Sequence, residues 1–376
     1  MTDYFVRPTN GSDLNAGTSY ALAKKTTSAG LALLTTAGDN LYLCAEAAEE
    51  ITGALTWPAV SGAADARIQI IGANSSGTVD GTQYTIQPAS GWVGTRLMQD
   101  SATTTSYWSM KNVNLNASAN AQQAENAFGY SNTNTNKNYR YFENCWFHDA
   151  SSHGFINYRG LNYSYVNCKF YNNGGHGLAN GASGNLGQSM YVDGCQFYDN
   201  TLVGLQALLE YYYINNNEFW GNGEEGFRSH TNSCRFIQMV NNTFYDNGHS
   251  GVEISGNPTG LVREFYRNSF VSNGLYGLDE GTAAGDDHQS SHIYDNHFHG
   301  NTSGETRGGT RSGDIYGNIN GDPLFTNAAS ADFTLQSTSP LFQGARNSMN
   351  IGARGLGSAG GGGGGGGPLV RGRLVS

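Results

Sequence analysis

The chain has 376 residues, of which 53 are Gly and only 13% are charged, and its formal net charge is −10. An acidic chain so poor in Lys offers no basic face for phosphates, which excludes nucleic acid as a partner and repels acidic polymers on average unless a local basic patch receives them. Abundant Gly and Asn suit many short strands joined by tight turns, since both tolerate the positive φ such turns need, and no stretch approaches a membrane span.

In chain order, Met1 to Pro8 has neither a basic n-region nor an apolar h-region, so no conventional secretion signal is expected. Tyr4-Phe5-Val6 reads as a short strand and Asn10-Gly11-Ser12-Asp13 as a turn. Tyr20 to Thr36 has the composition of an amphipathic helix, with Leu22, Leu31, Leu33 and Leu34 available to cover the open end of whatever follows. Asp39 to Cys44 then enters the body, and further strands are expected at Ile51-Thr52, Arg67 to Ile71, Tyr84 to Ile86, Trp108 to Met110 and Val113 to Leu115. Residues 116 to 138, rich in Asn, Ala, Ser and Thr, read as a loop leaving the body.

From Tyr141 to Asn301 one pattern recurs seven times, on Phe147, Phe170, Phe197, Phe219, Phe244, Phe270 and Phe298, at intervals of 23, 27, 22, 25, 26 and 28 residues. In the first six copies a Gly follows seven residues after the Phe, at Gly154, Gly177, Gly204, Gly226, Gly251 and Gly277. A fixed offset inside a variable period keeps one structural unit while a loop changes length, which is the mark of a solenoid. Apolar residues five before each Phe, from Phe142 to Ile293, and after each Gly, from Phe155 to Leu278, fill its core. Two residues before the Phe stand Cys145, Cys168 and Cys195, then Asn217, Asn242, Asn268 and Asn296. This exchange of Cys for Asn indicates a stack of small inward side chains, not disulfides or a metal site. The Asn three after each Phe, Asn173 through Asn301, is expected at a bend, bonding to the next coil. Three short strands per coil, with coils about 4.8 Å apart, make an all-β parallel β-helix.

These residues, with the opening Gly11-Ser12-Asp13 and Gly38 to Leu43 and the closing Gly321-Asp322-Pro323-Leu324-Phe325, Asp332 to Leu335 and Ile351-Gly352-Ala353, resemble the right-handed parallel β-helix proteins related to pectate lyases. The resemblance covers the chain to about Arg354 and implies the fold, but this architecture serves lyases, hydrolases, epimerases, adhesins and phage tailspikes. The expected organisation is an N-terminal strand and capping helix over 1–45, a β-helix body over 46–320, a closing segment over 321–354, and a linker with terminal peptide over 355–376. Glu305 replaces the Gly of the last copy, where the solenoid is expected to end. Eight consecutive glycines, Gly360 to Gly367, read as a flexible spacer before a tail able to add to a partner as a strand.

Residues flanking the inward Phe face outward, so two surface rows can be read. One after each Phe lies an aromatic row including Tyr171, Tyr198, Trp220 and Tyr245, a candidate track for the faces of sugar rings; packing against one another or a neighbouring subunit is the bland alternative. Two after each Gly come Arg228, Glu253 and Asp279, charged on three consecutive coils and joined by Glu224, Glu225, His230, Glu280, Asp286, Asp287 and His288. Paired carboxylates there suit acid and base work on a glycosidic bond, whereas a salt-bridged solvated face needs no function. The base that the resemblance implies for a lyase, often Lys or Arg, is not visible, since only Lys169 lies in the regular repeats. Asp286, Asp287 and His288 with His292, His297 and His299 match no metal-ligand spacing, and no metal or cofactor is expected.

Three functions fit. The first is a phage-type virion protein, a tail fibre, spike or capsid decoration that binds a surface glycan and attaches to other virion proteins through its C-terminal tail; the resemblance to spikes suggests a homotrimer. The second is a polysaccharide lyase or glycoside hydrolase using Arg228, Glu253 and Asp279. The third is an adhesin exported without an N-terminal mark. Each places the protein on a virion or outside the cell.

Overall fold

The computed structural model describes residues 1–353 apart from 93, 101–105, 131–137, 158–161, 181–188, 209, 231–234, 256–261, 282–290, 309–314, 343 and 346–348. The glycine run and the tail lie outside the described residues. Three parallel sheets run the length of the molecule, with 12, 11 and 10 strands among the described residues. Each coil contributes one strand to each sheet in turn: Ser189–Asp193 to the first, Gln196–Tyr198 to the second and Leu205–Ala207 to the third. The next coil repeats this in register, with Phe197 opposite Phe219 and Leu205 opposite Phe227. This is a parallel β-helix.

The sharp corner between the first and second sheets requires a left-handed residue. At Asn144, Asn167, Gly194, Asn216, Asn241, Arg267 and Asp295 φ lies between 51° and 65°. Asn, Asp and Gly dominate because they carry that conformation at the least steric cost. Just beyond this corner the Cys and Asn side chains stack inward. Asn242 Nδ2 donates to Asn268 Oδ1 at 2.9 Å and to the Ile214 carbonyl at 2.8 Å, while its backbone N–H donates to the same Oδ1 at 3.0 Å. Cys145, Cys168 and Cys195 are buried free thiols; Cys234 lies outside the described residues. A second amide ladder holds the next corner, where Asn200 Nδ2 donates to Asn222 Oδ1 at 2.9 Å and to the Phe170 carbonyl at 3.0 Å. Each amide thus satisfies itself and the two coils beside it.

The repeated Gly has a steric cause. A Cβ at Gly154, Gly177, Gly204, Gly226, Gly251 or Gly277 would sit 2.6–2.9 Å from a carbonyl oxygen of the following coil. Inside, the seven Phe rings of the second sheet stack with centroids 4.7–5.1 Å apart and are 0–2% exposed. The inner row of the third sheet, Phe155 to Leu278, and that of the first, Phe142 to Ile293, complete one continuous core.

The N-terminal cap is shorter than expected. A 3-10 turn at Tyr20–Leu22 and a helix at only Thr27–Leu31 replace the single helix over Tyr20 to Thr36. Between them Lys24 bridges Val6 in extended conformation. Glu49 fixes the helix start by accepting from the Thr27 backbone at 2.8 Å, and Gly30 lets the helix sit on Val6 and Leu41. Residues 116 to 138 are not simply a loop: a small hairpin, Ser118–Ala119 with Gln122–Gln123, precedes a third-sheet strand, Asn126–Tyr130. At the other end the last strands are Gly304–Arg307, Ile315–Tyr316 and Ile319–Asn320. The chain then turns back as an antiparallel pair, Phe325–Asn327 with Asp332–Leu335, and builds a second small core on the outside of the second sheet.

Candidate functional site

In the third sheet the residue after each core Phe, Leu or Val must face outward. Register therefore sets Gly129, Ile156, Ala179, Gln206, Arg228, Glu253, Asp279 and Arg307 in one row along the helix axis. A parallel row forms at the leading edge of the sheet, one residue before each Gly: His153, His176, Val203, Glu225, Ser250 and Tyr276. Arg96 and Asn126 occupy the same position in two earlier coils.

The structure brings Arg228, Glu253 and Asp279 together on adjacent coils and adds Glu225 and Arg307 to them. Arg228 Nη1 donates to Glu224 Oε2 at 2.6 Å and to Glu225 Oε2 at 3.2 Å, and His249 Nδ1 lies 3.0 Å from Glu225 Oε1. Glu253 is half-buried and shares a hydrogen bond with Glu225. Burial, then that hydrogen bond and the charges of Glu225 and Asp279, push the Glu253 carboxyl up to about 7 against the pull of Arg228. Asp279 is buried and clasped by Arg307, whose Nε donates to Oδ1 at 2.8 Å; the Gly281 N–H donates to the same oxygen at 2.9 Å. The Arg307 guanidinium in turn lies 5.1 Å from the centre of the Tyr276 ring.

In the coils of His153 and His176 the edge carries no charge. His153 and His176 stack in parallel at 5.0 Å, and each Nδ1 accepts a backbone N–H of the next coil, His153 from His176 at 3.1 Å and His176 from Val203 at 3.2 Å. An Nδ1 that accepts leaves the ring proton on Nε2 and the ring neutral. Burial, the neighbouring His153 and the charge of Arg228 lower His176 to about 3.

Several expected members are elsewhere. Glu280 faces the interior, fully buried, where it accepts from Arg263 at 3.1 Å and Ser291 at 2.6 Å. It therefore belongs to a buried ion pair and not to the outer cluster. His297 is buried, with Nδ1 3.0 Å from Ser269 Oγ and Nε2 2.7 Å from the Gly321 carbonyl, so both nitrogens serve the fold. Asp286, Asp287, His288 and the His230 side chain lie outside the described residues. Among the described residues no group of three His, Cys, Asp or Glu side chains is arranged to hold a metal ion, and no helix is long and apolar enough to cross a membrane.

The aromatic row of the second sheet is divided. Rings stack from His148 through Tyr171 and Tyr198 to Trp220 with centroids 4.3–4.7 Å apart. Trp220 and Tyr245, however, pack against the closing segment: Phe333 lies 5.5 Å from Trp220 and 5.3 Å from Tyr245, and Phe325 lies 6.3 Å from Tyr245. Of the four rings expected to form a sugar track, Tyr171 and Tyr198 stack on each other and on their neighbours in the row. The other two take part in a second hydrophobic core formed by the chain's own C-terminal segment. Arg307, His153, His176 and Arg96 were not singled out as site residues by the sequence; the row preceding each Gly would have found the two histidines.

Three stacked parallel sheets with asparagine ladders at two corners define a parallel β-helix with a charged row on its outer face. The family model for the right handed beta helix region matches residues 101–303, and the chain belongs to that family. Comparison with curated protein sequences gave no match. Among solved structures, pectate lyase Pel9A superposes with a TM-score of 0.66 at 16% identity, over 95% of this chain and 97% of that one. A rhamnogalacturonan lyase gives 0.51 at 17% identity over 85% and 87%. ORF18 of Geobacillus virus E2 gives 0.51 at 13% identity, and the match spans 78% of this chain and 56% of that one. At such identities the likeness is one of fold.

Proposed function

We infer that the protein binds an extended polysaccharide along the outer face of the third sheet and that Glu253 serves there as proton donor and acceptor in cleaving it. The observation that carries this reading is the juxtaposition of Glu253 with Glu225, Arg228 and Asp279 on three successive coils. A carboxyl poised near 7 can give a proton to a leaving oxygen and take one back at neutral pH. Asp279, pinned by Arg307, and Arg228, pinned by Glu224 and Glu225, set the field around it. The named activities of pectate lyase Pel9A and the rhamnogalacturonan lyase support a sugar polymer as the ligand.

The likeness to ORF18 of Geobacillus virus E2 favours a second reading, a virion component that uses the aromatic row of the second sheet, with Tyr171 and Tyr198, to hold a surface glycan without cutting it. In that setting the tail beyond residue 354 would meet other virion proteins and the chain would assemble as a trimer.

Wild-type protein and Glu253→Gln should be incubated with carboxylated and neutral polysaccharides while new reducing ends and unsaturated products are both followed. The wild type should release products, with activity declining as pH passes about 7 and Glu253 loses its proton. The variant should be slower by roughly 10²–10⁴-fold with an unchanged melting temperature. No turnover of any polymer, with binding retained, would reject cleavage and leave the virion reading.

A further inference from the structure

Six coils below Glu253 in the register of the third sheet, the cation Arg96 makes no ion pair and no hydrogen bond among the described residues. Its Nε is shielded from water and has no acceptor. The side chain does not project into solvent. It lies across the outer face of the next coil in the space left by Gly129, where a Cβ would meet Arg96 Nε at 2.6 Å and Cδ at 2.7 Å. Glu125, beside Asn126 on that edge, is exposed, and among the described residues it makes no ion pair with Arg96. The neighbouring imidazoles His153 and His176 accept backbone N–H groups and contribute no charge.

In a chain of net charge −10, a half-buried guanidinium without a counter-ion on an otherwise apolar floor of Gly129, Ile156 and Ala179 is costly unless something completes it. The other described arginines of this face, Arg228 and Arg307, already have their carboxylates.

We propose that Arg96 is the anchor for an anionic substituent of the bound polymer, a carboxylate or a sulfate, held over Gly129 about five coils, or roughly 24 Å, from Glu253. This rests on the polysaccharide reading and adds to it a charged subsite remote from the reacting bond. The polymer then runs along the helix axis, with its anionic group fixed at the N-terminal end of the face and the bond to be broken at the charged end. Gly129 belongs to the subsite because it alone leaves room for the guanidinium to lie flat.

Affinity electrophoresis in gels containing a carboxylated, a sulfated or a neutral polysaccharide tests the proposal on the full-length chain. Arg96→Gln should lose roughly tenfold in affinity for the anionic polymer that the wild type binds, with neutral polymer unaffected. Arg96→Lys, which keeps the charge without the fork, should fall between them. Gly129→Ala should reproduce much of the loss, since it displaces the guanidinium while leaving the charge in place. Which anionic gel retards the wild type separates carboxylate from sulfate. Arg96→Gln and wild type retarded equally by every anionic gel, or retardation by neutral polymer alone, would overturn the anchor while leaving the polysaccharide reading intact. Should no gel retard the wild type, that reading fails, and the anchor is then decided by whether sulfate or acetate raises the melting temperature of wild type more than that of Arg96→Gln.

Discussion

On the outer face of the second sheet like stacks on like, His148 on Tyr171 on Tyr198 on Trp220, and the apolar half of that row is roofed by the closing segment. On the third sheet the same coils set unlike residues in succession, Ala179, Gln206, Arg228, Glu253, Asp279, and no described segment roofs them. Both faces obey one geometry, so the difference is chemical. A row of identical rings gains stacking and buried area from its own repetition, and its exposed apolar part calls for a cover. A row that alternates charge gains little from stacking, and two carboxyls on neighbouring coils raise each other's cost of ionisation. The repeat explains the first row; the second needs a use.

The largest effect expected from disturbing this contrast is on the roofed face. Phe333 is buried between Trp220, Tyr245 and Phe325, so Phe333→Ala should remove roughly 3–5 kcal/mol from the second core. The coils, held by their own ladders, should remain. Hydrogen exchange should show residues 323–353 losing protection while the Asn ladders keep theirs. Equal protection of the closing segment in variant and wild type would mean that the roof is held by its hydrogen bonds to the coils, such as Gly352 N–H to the Arg267 carbonyl at 2.8 Å, and not by this core.

The same contrast marks what could be read in advance. The Phe, Asn and Gly offsets dictated three strands per coil, the amide ladder from Asn173 to Asn301, the inward stack of Cys and Asn and the direction of each outer row, because in a solenoid these follow from local spacing. The roof over Trp220 and Tyr245 was not legible, since it depends on a segment outside the repeat returning over about a hundred residues of chain. The helix at Thr27–Leu31 was overestimated because tertiary pairing of Lys24 with Val6 wins over weak helical periodicity. At the site Arg228, Glu253 and Asp279 were visible as charges in one row. Arg96 was hidden in a coil where the repeat is degenerate, and Arg307 in the copy that lacks its Gly. Glu280 was misplaced because one residue of offset sends a strand side chain to the opposite face.

A smaller effect, and one that sharpens the contrast through pH, comes from His176. Its folded value of about 3 lies below the ordinary 6.5, so the folded state prefers the neutral ring. That stability is complete above pH 6.5 and is lost as pH falls from 6.5 toward 3, because the unfolded chain takes up the proton first. His297, lowered to about 4, acts in the same sense. Glu253 opposes them: raised to about 7 from 4.5, it favours the fold below pH 4.5 and loses that contribution as pH rises through 7. His176→Asn keeps an acceptor for the Val203 N–H and removes the titration. Between pH 6.5 and 4 its melting temperature should therefore decline less than that of wild type, by the equivalent of roughly 1–3 kcal/mol. Parallel declines would show that the ring is not kept neutral and that the edge of the third sheet is not protected from charge.

The contrast extends indoors, and there the expected effect is smallest. The second sheet's inner row is Phe in seven successive coils, whereas the last inward position of the third sheet reads Asn157, Asn180, Ala207, Ser229 and Ile254. Asn157 and Asn180 are 0% and 1% exposed, and among the described residues neither amide has a partner for its oxygen or its nitrogen. An unmet buried amide costs about 1–3 kcal/mol, so a side chain of similar volume without polar atoms should be preferred. Asn180→Leu, with only the small Ala207 above it, should raise the unfolding free energy by about 1 kcal/mol in a denaturant titration. A loss of stability would mean that the amides bond to enclosed water, which a polar cavity with two to four partners can hold. The third sheet would then be hydrated on its inner side as well as charged on its outer one, and its polar character would belong to the whole strand row and not to the exposed face alone.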